Sequence, residues 1–180
     1  AQQFRWTGAD IHESLGKTYQ AMSGEAASTL SQAATANPQL DFLVRTNMDA
    51  QIAADRIRGA VRASNGVSYP RGSLANQLKL IAKMIRGGLR TRVFYASMGG
   101  FDTPSGQRGR HAQLMGQFAN AINAFQKDLR ESGDDERVMT MVFSEFGRRV
   151  GENASNGTDH GTAGPMFVIG KHAKGGVHGQ

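Results

Sequence analysis

The chain has no cysteine. That excludes disulfides and thiolate metal centres, so any metal site has to be built from carboxylates and imidazoles. No apolar run approaches the ~18 residues that a membrane span needs. There is no basic tract interleaved with aromatics, and the arginines are spread along the whole chain, so there is no clear nucleic-acid signal. Aromatics are few, at 7%, but hydrophobic residues reach 39%, which is enough for a globular domain. No signal peptide is visible. The chain begins at Ala1 rather than Met and stops inside the loop-like run Gly175-Gly176-Val177-His178-Gly179-Gln180. It reads as a fragment of a longer protein, so missing terminal signals carry no weight.

What is present is a length of 180 residues, which suits one domain burying about 70% of its unfolded surface. The formal net charge is +6, which fits either an anionic substrate or a solvated basic surface. The first part is rich in Ala, Gln and Ser. Many of the 23 glycines fall after residue 85 and make the last part loop-like.

From about Ile11 to Ala36 the proline-free run reads as one helix, or two broken near Gly24. Asn37-Pro38 is a helix start, with Asn as N-cap and Pro at the first helical position. Leu40, Leu43, Val44, Met48, Ile52, Ile57 and Val61 then recur at helical spacing to about Arg62. Ser64 to Pro70 is a loop. Ser73 is expected to cap a helix of about Leu74 to Arg86, with Leu74, Leu78, Ile81, Ala82 and Ile85 inward and Gly87-Gly88 ending it. Arg92 to Met98 reads as a strand. A helix of about Gln107 to Glu131 follows, with Leu114, Phe118, Ile122, Phe125 and Leu129 inward. Val138 to Phe143 and Met166 to Gly170 read as strands. Helix and strand alternating at this spacing predict βαβ units, a mostly parallel sheet and helical cover.

The residues that carry chemistry fall at the ends of these predicted strands, where open parallel sheets bind ligands. Asp102 follows the first strand, Glu145 the second, and Asp159-His160 precedes the third. Carboxylates and imidazoles are ordinary ligands for zinc, manganese or similar ions, and Arg148 and Arg149 suit a bidentate hold on an anionic oxygen. Each has a plainer explanation. Asp102 before Thr103-Pro104 fits an Asx turn. Glu145 fits an ion pair with Arg148 or Arg149. Asp159-His160 fits a turn with a hydrogen-bonded His. His111 fits a ligand or a surface residue equally, while His12, His172 and His178 read as surface. Residue types and spacing alone therefore reach an α/β domain with a metal or anion site.

Five stretches carry a resemblance. They are Tyr69-Pro70 with the Leu-rich helix after it, Gly99-Gly100-Phe101-Asp102-Thr103, Ser144-Glu145-Phe146-Gly147-Arg148, Asn153, and Gly157-Thr158-Asp159-His160-Gly161. In these the chain resembles the DUF1501 family, bacterial proteins related to the alkaline phosphatase and sulfatase superfamily. The resemblance implies a three-layer α/β/α fold, a single alkaline phosphatase-like domain over residues 1–180 with its upstream strand and C-terminal part missing, and divalent ions (zinc, manganese or calcium) at the strand ends. It implies Asp102 and His160 on a first metal, Glu145 on a second, and Asp159 assisting or orienting His160. His111 is a candidate substitute ligand. Arg148 and Arg149 are candidate anion contacts. It implies an exported protein of the periplasm or cell envelope acting on a small anionic ester or a glycan.

The chain departs from the family pattern in three ways. Pro104 stands where members often carry His, Phe146 replaces the His of an Asp-His pair, and no early strand carries a nucleophile. Two functions are therefore weighed: a metal-dependent hydrolase of phosphate or sulfate esters, and a non-catalytic domain that binds an anion, a glycan or a protein.

Overall fold

In a computed structural model, residues 37–179 are described. The expected helix between Ile11 and Ala36, and with it His12, lies outside them. The elements are α1 (Pro38–Val61), α2 (Ser73–Arg86), α3 (Gln107–Ser132), a 3-10 turn (Asp134–Glu136), β1 (Thr140–Val142), β2 (Gly147–Arg148), β3 (His160–Gly161) and β4 (Phe167–Ile169). The chain divides into two compact units inside α1, the first ending at Asp55 and the second beginning at Arg56.

In the first unit, Asn37 starts α1 as its residue type predicts. Its Oδ1 accepts a hydrogen bond from the Gln39 backbone N–H at 3.0 Å, satisfying one of the donors a helix start leaves open, and Pro38 has no N–H to leave unmet. Asp41 and Arg45 form an i,i+4 ion pair at 2.8 Å. Phe42, Leu43, Met48 and Ile52 are exposed, so the helical spacing of these residues does not by itself mark a buried face.

In the second unit the core lies between α2 and α3. Ala75, Leu78, Ile81, Ala82 and Ile85 of α2 are buried against Ala121, Phe125 and Leu129 of α3. Both helices have the apolar face their spacing predicts, and α2 has a strong amphipathic pattern. Leu74, Phe94, Ala96, Ile122 and Val138 pack on the rim of this cluster. One local expectation fails. Ser73 is the first residue inside α2 rather than its cap; Gly72 precedes the helix, and the Ser73 hydroxyl accepts from Gln77 Nε2 at 3.2 Å.

The expected parallel, three-layer α/β/α sheet is not what the chain forms. Among the described residues there are two small sheets of two strands each, both antiparallel. β1 pairs with β4, Thr140 opposite Ile169 and Val142 opposite Phe167. β2 pairs with β3, Gly147 opposite Gly161 and Arg148 opposite His160. The pairs are nested: the chain leaves β1, turns back on itself through β2 and β3, and returns beside β1 as β4. Parallel strands are usually joined by a crossover helix, and no helix lies between β1 and β4. The expected strand from Arg92 to Met98 forms no ladder. Its alternation is real, with Phe94 and Ala96 packed on the core and Val93 and Tyr95 exposed. Alternation reports which side of an extended segment is buried and is silent on its hydrogen-bonding partner.

Candidate functional site

The β2–β3 hairpin brings the two motifs together. Phe146, in the bend that leads into β2, and Arg148 are two residues apart and both come to His160. In the register, Arg148 stands opposite His160. Phe146 is then diagonal to His160, a separation that an aromatic ring spans. The Phe146 and His160 rings are stacked, with centroids 4.0 Å apart and planes 7° apart. The Arg148 guanidinium lies 5.1 Å from the Phe146 centroid, within cation–π range.

The glycines of the motifs are there for close backbone approach. A Cβ on Gly147 would overlap the Ala163 carbonyl oxygen. One on Gly157 would overlap the Pro104 carbonyl and the Ser105 nitrogen. The second contact seats the 153–159 loop on the segment carrying Asp102. Gly106 and Gln107 donate backbone hydrogen bonds to Ser155 and Asn156 at 3.0 and 2.8 Å. Asn153 organises the loop from inside: its Oδ1 accepts from Ser155 and Gly157, both at 3.0 Å. Its amide donates to Pro104 O at 3.0 Å and Asp159 Oδ1 at 3.1 Å.

Asp102 and His160, 58 residues apart in the chain, meet at this seam. Asp102 Oδ1 is 3.1 Å from His160 Nε2 and 2.6 Å from Arg148 Nη2. The contact with His160 first, and that with Arg148 second, hold the Asp102 carboxyl below its ordinary range. An ionised carboxylate only accepts, so His160 Nε2 is the donor and Nδ1 carries the lone pair of the neutral ring. Arg148 also donates to Thr158 O at 2.5 Å and Phe101 O at 2.9 Å. Its Nε is buried without an acceptor. Arg148 thus ties three stretches of chain together, and its Nη1 and Nη2 donors are already engaged. Arg149 stands apart, 3.7 Å from Asp159.

The other candidates are placed differently. Glu145 is exposed and forms no ion pair with Arg148 or Arg149. Asp159 faces Arg149 and Asn153 instead of orienting His160. His111 lies edge-on to Phe101, with ring centroids 6.2 Å apart. It lines an open cleft of about 470 Å³ with Gln107, Arg108, Glu152, Asn156 and Thr158. A second cleft of about 520 Å³ runs along Arg149, Glu152, Asn153 and Asp159. Among the described residues no group of three or more His, Asp or Glu side chains is placed to hold a metal ion. Asp102 and His160 offer two ligands, and the Arg148 cation sits on the same carboxylate oxygen. The described residues do not fit a divalent metal site.

The residue that sequence reasoning missed is Asp128. It is fully buried and accepts from Arg86 at 2.5 Å, Asn65 at 2.6 Å and Tyr69 at 2.9 Å. Burial first, then the Asp128 contact, push the Tyr69 hydroxyl far above the usual tyrosine range. A signal was available: Asp128 falls between Phe125 and Leu129 at i+3, on the face of α3 that the apolar spacing assigns to the core. A carboxylate there needs partners. This network ties the 64–69 loop to α2 and α3 and lies outside the Asp102–His160 cluster.

The fold around the site is a helix pair with a nested antiparallel hairpin carrying an exposed carboxylate–imidazole pair. The chain belongs to the DUF1501 family, described as "Protein of unknown function (DUF1501)", which it matches over residues 8–180. No curated protein and no solved structure matches it. None of the helices among the described residues is long and apolar enough to cross a membrane.

Proposed function

We propose that the chain is part of an exported hydrolase of phosphate or sulfate esters, in which Asp102 and His160 act as an acid–base pair. The observation that carries this reading is the 3.1 Å contact between Asp102 and His160 Nε2. A carboxylate on one imidazole nitrogen selects the tautomer whose other nitrogen accepts a proton, and it stabilises the imidazolium that results. Both side chains are more than half exposed, so a substrate can reach them. The assignment to an anionic ester, and to the periplasm or cell envelope, rests on the family resemblance; the net charge of +6 supports an anionic substrate. The divalent ion that the resemblance implies has no ligand set among the described residues.

Aryl phosphates and aryl sulfates offered to the purified protein test the proposal. Turnover that falls about 10²–10⁴-fold in H160A and D102N is the expected result. No turnover by the wild type, or an H160A variant as active as the wild type, overturns it.

A second reading is a non-catalytic domain that binds an anion, a glycan or a protein. It is favoured by the absence of three clustered ligands among the described residues and by an Arg148 already committed to Asp102, Phe101 and Thr158. Saturable binding of a sulfated glycan without release of sulfate would support this reading over the first.

A further inference from the structure

His160 is held at two places of different kind. A hydrogen bond at Nε2 fixes one point of the ring. It leaves the ring free to tilt about that point. The Phe146 face, 4.0 Å away and 7° from parallel, fixes the plane. Phe146 also carries the Arg148 guanidinium at 5.1 Å, and Arg148 grips Asp102 at 2.6 Å. One aromatic ring therefore touches the imidazole and also the cation that holds the imidazole's carboxylate. Phe146 is itself half-buried, next to the buried Gly147, so its own position is constrained by the hairpin. An exposed imidazole held by one hydrogen bond samples many tilts, and a ring stacked on its face removes that freedom.

We infer that Phe146 is a positioning residue: its face sets the plane of the His160 imidazole so that Nε2 stays on Asp102 and Nδ1 stays available. The resemblance expects a His ligand at this position, and the structure uses the position as an aromatic platform instead. The catalytic consequence rests on the acid–base reading above; the restraint on the ring does not.

The test is ¹³C relaxation at Cδ2 and Cε1 of His160 in the wild type, F146L and F146W. The expected order parameter is near the rigid limit of about 0.85 in the wild type, below about 0.6 in F146L, and restored in F146W, which keeps an aromatic face. An F146L ring as ordered as the wild type overturns the inference. Should F146L lose the fold, F146M is measured and read by the same criterion. In an ester assay, F146L is expected to lower kcat about 10-fold or more with KM within about twofold, and F146W to recover it. A raised KM at unchanged kcat overturns the positioning role. If the wild type shows no turnover, the hydrolase proposal fails, and ring order alone still decides the role of Phe146.

Discussion

Arg86 Nη2 lies 2.5 Å from Asp128 Oδ1, and the two side chains differ in access to water: 24% of the Arg86 side chain is exposed and none of the Asp128 side chain. That asymmetry orders the effects of breaking the pair. Removing one partner of a buried ion pair costs about 3–5 kcal/mol, because the charge left behind has no compensation. D128A leaves an arginine that can reach solvent. R86M leaves a carboxylate that cannot, although Asn65 and Tyr69 still donate to it. Denaturant unfolding should therefore show R86M destabilised at least as much as D128A. A D128A variant within 1 kcal/mol of the wild type would mean that the network is not formed.

Tyr69 makes stability depend on high pH. Burial and the Asp128 carboxylate favour the protonated phenol, so the folded state holds that proton to a higher pH than the unfolded chain does. A group with a raised folded pKa contributes stability that is complete below its unfolded value, about 10 for tyrosine, and lost as pH rises above it. Stability should fall above about pH 10, and Y69F should flatten that fall. Y69F should also be weaker at neutral pH by about 1 kcal/mol, for one lost hydrogen bond. Equal alkaline slopes in both proteins would sink the assignment.

Two glycine substitutions should act in opposite directions. Gly116 lies within α3 with nothing near the position a Cβ would take, so G116A should stabilise by about 0.8–1.0 kcal/mol through helix propensity. At Gly147 the Cβ would overlap the Ala163 carbonyl, and G147A should destabilise by about 1–3 kcal/mol. Thermal melts of the two variants, run side by side, check the signs. A G147A protein as stable as the wild type would show that Gly147 does not approach the Ala163 carbonyl this closely.

Phe125 is 3% exposed and sits in the α2–α3 core, while Leu114, on the same expected face, is only half-buried. F125A should cost about 3–5 kcal/mol. L114A should cost less, because part of its side chain is already in water. Chemical denaturation measures both. A larger loss from L114A would relocate the core toward the start of α3.

The pairing of Asp102 with His160 was legible in the sequence only through the family motifs, since spacing places each residue at the end of its own segment and says nothing of their meeting. Glu145 was expected in the same cluster. It stays in solvent, while Phe146 and Arg148 face His160. Arg148, three residues after Glu145, takes Asp102 instead, at 2.6 Å.

By itself the sequence determined what depends on neighbours along the chain. The Asn37-Pro38 start of α1, the extents of α2 and α3 and their inward faces all follow from capping chemistry and the 3.6-residue period. Tertiary structure decided what depends on distant partners. A β-segment shows its buried side in its alternation, yet its partner and direction are set by where the chain returns. β1 therefore pairs antiparallel with β4 across a nested hairpin, and the parallel sheet that the order of helices and strands suggested does not form. The same holds for charges. In the sequence Arg148 had Glu145 and an anionic oxygen open to it, and only the β2–β3 register places its guanidinium on Asp102, because a charged hydrogen bond forms with whichever partner the backbone brings within about 3 Å.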